Sequence, residues 1–152
     1  GHCPDMQILI YDCGGEVDTM SFNNRKDLIS LQKSNQTEIE KAMSFLVEGL
    51  KNQSLEIIGK AATISAFANQ KILFKKPLED FYMRGSALGG KGVICAHSGT
   101  VLGLIVAPGA DIEAIRTKIK DYDLGVFYLD TVRLTNQGMQ IRKCKLDDPF
   151  TK

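Results

Sequence analysis

Apolar residues in the first half of the chain follow two spacings. Residues 6–13 alternate, with Ile8 and Ile10 on one side, and this predicts a strand. The apolar positions that follow recur every three or four residues, which predicts helices over 21–33, 37–51 and 55–70. The last two helices are expected to hinge near Asn52 and Gln53, and Ser34 or Thr37 is the candidate cap of the helix over 37–51.

The second half of the chain alternates between strands and helices. A helix is predicted from Pro77 to Leu88, because proline suits the first helical turn. Apolar runs over 93–96 and 101–107 predict two strands joined by a hairpin, in which Gly99 is available for a positive backbone angle. A helix over 111–121 and strands over 125–134 and 139–142 complete the order.

This order of elements predicts one α+β domain over residues 3–152. The expected fold is a ferredoxin-like antiparallel sheet with helices on one face and a helical insertion after the first strand. Gly1 and His2 are interpreted as a tag remnant.

The balance of charge argues against two classes of partner. Nineteen basic and eighteen acidic residues leave a formal net charge of +1, which favours neither nucleic acid nor an anionic membrane. No apolar run approaches the roughly 20 residues that a spanning helix needs, and no secretory signal is visible. We therefore expect a cytoplasmic protein.

The four cysteines do not form a metal-binding or disulfide pattern. Cys3, Cys13, Cys95 and Cys144 lie far apart and contain no CxxC pair, so no metal site is predicted and reduced thiols are expected. His97 follows Cys95 by two residues, which on a strand would place a base beside a thiol. A buried structural cysteine is the simpler interpretation of Cys95.

Two polar, glycine-containing stretches are candidates for a binding site. The sequence DCGGEVDTMSFN follows the first strand, and its candidate binding residues are Asp12, Gly14, Gly15, Asp18, Thr19 and Asn23. Helix capping would explain one or two of them, whereas a polar ligand would explain the set. The second stretch, from Gly85 to Gly109, contains seven glycines, and it fits either an anion-binding loop or a tight hairpin with a helix C-cap at Gly89 and Gly90.

The sequence AHSGTVLGLIVAPGADIEAIRTKIK resembles the third motif of the GHMP kinases together with the strand and helix that follow it. Most of those families have a loop like TGAGGGG where this chain has residues 96–100. Together with GGEVDTMSFN, the AHSGT sequence is similar to the L-threonine kinase branch, which is linked to cobalamin assembly and propanediol utilisation. The resemblance covers the whole chain as a carboxy-terminal half.

The resemblance implies roles for the loop residues. Ser98, Gly99 and Thr100 would lie on the phosphate side of the cleft, and His97 would bind the substrate or a phosphate oxygen. From charge complementarity, we expect Asp18 to bind the ammonium group of an amino acid and Asn23 its carboxylate.

The resemblance also implies what the chain needs for activity. The substrate would be an amino acid alcohol, and ATP and Mg²⁺ would act in the full-length enzyme. The amino-terminal half of such kinases carries a PxxxGLGSSAA-like loop that binds ATP, and this sequence contains none, so the fragment alone is expected to bind these cofactors weakly and to be inactive. Its expected partners are that half and, as a further candidate, a second copy of itself. The alternative is a stand-alone ferredoxin-like module for ligand binding or dimerisation, in which the two polar stretches would lie apart.

Overall fold

Four strands form a single antiparallel sheet in the computed structural model, which describes residues 2–137. They are β1 (Gln7–Asp12), β2 (Gly92–Cys95), β3 (Val101–Val106) and β4 (Phe127–Arg133). The strand order is β2-β3-β1-β4, so the first and third strands in sequence lie side by side at the centre. This is the ferredoxin-like order, and the predicted α+β class is confirmed.

Helices fill the connections between β1 and β2 and between β3 and β4. They are α1 (Thr19–Asn23), α2 (Leu28–Ser34), α3 (Gln36–Asn52), α4 (Leu55–Ala68), α5 (Leu78–Ala87) and α6 (Ile112–Asp121). A 3-10 turn, Asn69–Lys71, extends α4. The helices predicted over 37–51, 55–70, 77–88 and 111–121 are confirmed to within a few residues. Within residues 2–137, no helix is both long enough and apolar enough to cross a membrane.

The single helix predicted over 21–33 was wrong, since two short helices occupy this stretch. α1 ends at Asn23, with Asn24 as its C-cap, and α2 starts only at Leu28. Between them, the Arg25 guanidinium pairs with the Asp27 carboxylate and donates to the main-chain oxygen of Ile72. A contact with a residue 47 positions away therefore replaces the helical bonds that the apolar spacing favoured.

The predicted cap of α3 was also wrong. Asn35 precedes α3, and the side chain of Asn35 donates to the main-chain oxygen of Ala68 at 2.6 Å instead of capping the helix. Ser34 ends α2, and its hydroxyl donates to the Leu31 carbonyl oxygen. The hinge after α3 is confirmed, because Gln53 takes a left-handed conformation (φ 52°) that ends the helix.

The two faces of the sheet pack against different sets of helices, and α4 contributes residues to both hydrophobic clusters. Leu9 pairs with Leu104, which pairs with Val93, so the three side chains form a row on one face. Core residues from α5 and α6 cover this row: Leu78, Phe81, Ile115 and Ile119. On the opposite face, Ile105 packs against residues of α3 and α4, among them Leu46, Leu50 and Ile58. The helical insertion thus covers the second face.

The turns near the later strands follow the sequence patterns with one exception. Gly89 (φ 91°) follows α5 in a left-handed conformation, which confirms the predicted helix end. Gly99 lacks the positive backbone angle predicted for it. The strand predicted over 125–134 is β4, whereas the strand predicted over 139–142 lies outside the described residues.

Candidate functional site

The end of β1 and the turn between β2 and β3 meet at one end of the sheet. Cys13 joins them twice, because its amide and its thiol both donate to the carbonyl oxygen of Thr100, at 3.0 and 2.7 Å. Asp12 accepts a hydrogen bond from the Gly14 amide at 3.1 Å. Hydrogen bonding to the Thr100 side chain, and then to Gly14, lowers the pKa of Asp12, so its carboxylate stays charged.

A cavity of about 240 Å³ opens where these two segments meet. Its polar and glycine lining consists of Gly14, Gly15, Glu16, Lys75, Lys76, Gly99 and Thr100. Members of both polar stretches that the sequence singled out therefore share one cavity, which is large enough for a small polar ligand.

The two glycines after β1 shape the mouth of this cavity. Gly14 and Gly15 have φ values of 70° and 83°, and a Cβ added to either would meet no atom within 4 Å. Other residues adopt this conformation only with strain, and the space beside both backbones is open. A ligand can therefore approach the main chain here without meeting a side chain.

Lys75 is the residue of the site that sequence reasoning missed. It lies in the connection between α4 and α5, is 4% exposed, and donates from Nζ to the carbonyl oxygen of Ala96 at 2.6 Å. The only local signal is a pair of lysines before Pro77, and Lys76 beside it is exposed. Burial of one lysine of the pair depends on how the connection folds beneath the β2–β3 turn.

Three predicted residues lie in or just before α1, and two of them, Asp18 and Asn23, do not line the cavity. The Asp18 carboxylate accepts from the amides of Met20 and Ser21, at 3.0 and 3.3 Å, and from the Ser21 hydroxyl at 2.6 Å. These bonds, first of all the one from the Ser21 hydroxyl, lower the pKa of Asp18. Asp18 thus caps the helix that Thr19 begins and Asn23 ends, and both Asp18 and Asn23 are exposed to solvent.

His97 and Ser98 are exposed in the turn after β2. His97 lines a separate cavity of about 420 Å³ together with Asn35 and Asn69. The alternative in which His97 and Cys95 share one strand face is not what the structure has, since β2 ends at Cys95 and His97 lies beyond the strand. The Cys95 sulfur instead accepts from the Asn69 amide group at 3.9 Å.

No family model and no curated relative matches this sequence. Among solved structures, the chain is similar to the L. major mevalonate kinase in complex with R-mevalonate, at 14% identity and a TM-score of 0.66 over 87% of this chain and 44% of that one. It is also similar to the Streptococcus pneumoniae phosphomevalonate kinase in complex with phosphomevalonate and AMPPNP, at 11% identity and a TM-score of 0.65 over 86% and 40% of the two chains. The homoserine kinase from Cytophaga hutchinsonii matches at 16% identity with a TM-score of 0.54, over 89% and 44%.

The chain thus spans less than half the length of the kinases it matches. All three are GHMP-superfamily kinases, and at these low identities the likeness establishes a shared fold. The α+β sheet described above is the fold of a GHMP kinase carboxy-terminal domain.

Proposed function

We propose that this chain is the substrate-side domain of a GHMP-type kinase that transfers the γ-phosphate of ATP to the hydroxyl of L-threonine, as a step in cobalamin assembly. One observation carries the proposal: the Gly14–Gly15 turn and the Gly99–Thr100 turn share a cavity in a domain with the fold of such kinases. Fold likeness supports the kinase class, and the resemblance of GGEVDTMSFN and AHSGT supports the threonine branch.

The geometry suggests what this domain would do in the reaction. Phosphoryl transfer depends chiefly on positioning and on charge stabilisation. Thr100 is fixed by two bonds from Cys13, so its hydroxyl and the adjoining Gly99 are held at the cavity wall. The open backbone at Gly14 and Gly15 would let the acceptor lie against the main chain, with its hydroxyl directed out of the cavity.

The cavity fits an anionic group better than a metal ion. Its buried charge is the Lys75 ammonium group, and within residues 2–137 no three His, Cys, Asp or Glu side chains cluster as metal ligands do. ATP would supply the phosphoryl group and Mg²⁺ would neutralise its charge. In this proposal both would be bound mainly by an amino-terminal half, and this chain alone would not turn over substrate.

The acceptor contacts of the α1 segment belong to the same proposal. Asp18 would bind the ammonium group of threonine and Asn23 its carboxylate, while His97 and Ser98 would face the phosphate side. The carboxylate of Asp18 already caps α1, so a ligand would have to bind to the cap oxygens that remain accessible. In a joined enzyme, Asp18→Asn should weaken threonine binding far more than ATP binding, and equal effects on both would refute the role.

The deciding experiment joins the chain to an amino-terminal half that carries a glycine- and serine-rich phosphate loop. ATP-dependent phosphorylation of L-threonine is then compared with that of L-serine and L-homoserine. Preferred turnover of threonine is the expected result. Turnover of another alcohol would retain the kinase class and refute the threonine assignment, and absence of any turnover would refute both.

A second candidate function rests on the edge of the sheet. Among residues 2–137, β4 is an edge strand of the sheet, and it exposes three large apolar side chains, with Phe127 at 67%, Leu129 at 55% and Val132 at 42% exposure. An apolar edge strand is a surface for pairing with another chain, which favours a dimerisation or partner-binding module. Concentration-dependent dimerisation that Leu129→Lys abolishes, without kinase activity in the joined protein, would support this alternative.

A further inference from the structure

A positive charge is buried in the candidate cavity without a negative partner. Lys75 is 4% exposed, and among residues 2–137 no carboxylate forms an ion pair with it. Within the part of the chain that the structure describes, the Nζ atom of Lys75 makes one hydrogen bond, to the neutral carbonyl oxygen of Ala96, which satisfies one of its three donors. A buried ammonium group is costly unless an opposite charge or several acceptors compensate it.

The main chain around Lys75 is held on both sides by a single side chain. The Lys75 amide donates to Oε1 of Gln70 at 2.7 Å, and Nε2 of Gln70 donates back to the Lys75 carbonyl oxygen at 3.0 Å. The Leu78 amide, at the start of α5, donates to the same carbonyl oxygen at 3.2 Å. Lys75 is therefore fixed before any ligand arrives, which lowers the entropic cost of binding.

The glycine side of the cavity leaves open space and brings no negative charge to Lys75. Gly14 and Gly15 carry no side chain there, and nothing lies within 4 Å of where their Cβ atoms would be. Glu16 is the acidic residue of the lining, and it is exposed. The lining of the cavity thus combines a buried cation with an exposed anion.

We infer that Lys75 is the binding residue for an anionic oxygen group, a carboxylate or a phosphate, of the small ligand held in this cavity. The inference deepens the proposed function and rests on it for the nature of the ligand. For an amino acid alcohol, Lys75 rather than Asn23 would then bind the carboxylate; for a nucleotide or a phosphorylated product, Lys75 would bind phosphate oxygens. The remaining Nζ donors would then be satisfied by charge-assisted hydrogen bonds.

The test uses the chain itself with two probes, inorganic phosphate and sodium acetate. Each is titrated at constant ionic strength while the amide NMR signals of Gly14, Gly15 and Thr100 are followed. We expect at least one probe to shift these signals and Lys75→Met to weaken its binding by about tenfold or more, because hydrogen bonds to a charged group are lost. Lys71→Met is the matched control: Lys71 is exposed and is not among the residues that line the cavity, so binding should change by less than about twofold.

Comparison of the two dissociation constants identifies the anionic group: tighter binding of acetate indicates a carboxylate ligand, and tighter binding of phosphate indicates a phosphate ligand. The inference is overturned if neither probe shifts these signals, or if Lys75→Met binds both as the wild type does. Lys75→Arg, which keeps the charge, should retain binding if the charge is what matters. Should Lys75→Met fail to fold, the ¹⁵Nζ signal of Lys75 in the wild type decides instead: it must move on titration. Kinase turnover of the joined protein is measured separately, so either conclusion can fail alone.

Discussion

The contact between α4 and β2 leaves no room for a single methyl group. A Cβ built on Gly59 would lie 2.0 Å from the carbonyl oxygen of Lys91, and one on Gly92 would lie 2.1 Å from the carbonyl oxygen of Gly59. Lys91 cannot easily move, because its amide donates to the Ile105 carbonyl oxygen at 2.7 Å. The Thr63 hydroxyl adds a link, accepting from the Val93 amide and donating to the Gly59 carbonyl oxygen.

We expect Gly59→Ala to destabilise the protein by about 2 kcal/mol. Helix propensity alone would favour alanine by roughly 0.5–1 kcal/mol. Against this, the helix and strand backbones must separate until the methyl group lies at the 3.4 Å of ordinary contact rather than 2.0 Å. Overpacking of this kind costs about 1–3 kcal/mol and sometimes more, and main-chain atoms yield less readily than side chains.

Urea unfolding followed by circular dichroism measures this change. With a slope of about 1–3 kcal/mol per M, the midpoint of Gly59→Ala should fall by about 1 M. Gly99→Ala is the matched control, because Gly99 has no positive φ and its added Cβ would lie 3.6 Å from the Ala96 Cβ, an ordinary contact. Its free energy of unfolding should change by less than about 1 kcal/mol. If Gly59→Ala is as stable as the wild type, the close backbone contact between α4 and β2 is not present as described.

Two further changes test local features. Because the folded state lowers the pKa of Asp12, its carboxylate stabilises the fold above its ordinary pKa of 3.8, and this contribution is lost as the pH falls through the lower, folded value. Asp12→Asn should therefore flatten the decline of the urea midpoint below about pH 4, and an unchanged profile would contradict the hydrogen bonding. Asp111 caps α6 by accepting from the Ala114 amide at 3.0 Å, so Asp111→Ala should lower the free energy of unfolding by about 1 kcal/mol. Lys118→Ala, on the exposed side of the same helix, is the control.

Much of the secondary structure could be predicted because it depends on spacing within one segment. An α-helix must turn one face to the core every 3.6 residues, and α3, α4 and α6 carry apolar residues at that period. The same reasoning failed over 21–33, where the period was present but the Arg25 contact with Ile72 was not visible. Short-range capping by Asp18, in contrast, needed only neighbours in sequence, and it was among the alternatives.

The candidate site divides in the same way. Composition marked Gly14, Gly15 and the glycine-rich stretch from Gly85 to Gly109 as candidates, and the resemblance to the GHMP kinases then pointed to Gly99 and Thr100 within that stretch. Lys75 and Lys76 are chemically identical neighbours, and no property of the sequence decides which is buried. The tertiary structure decides which lysine is buried. Gln70 fixes the main chain of Lys75, and the Lys75 side chain lies under the β2–β3 turn, where its Nζ donates to the carbonyl oxygen of Ala96. Local patterns determine helices and strands because their hydrogen bonds are local, whereas burial of a charge is decided by residues that the chain brings together from far apart.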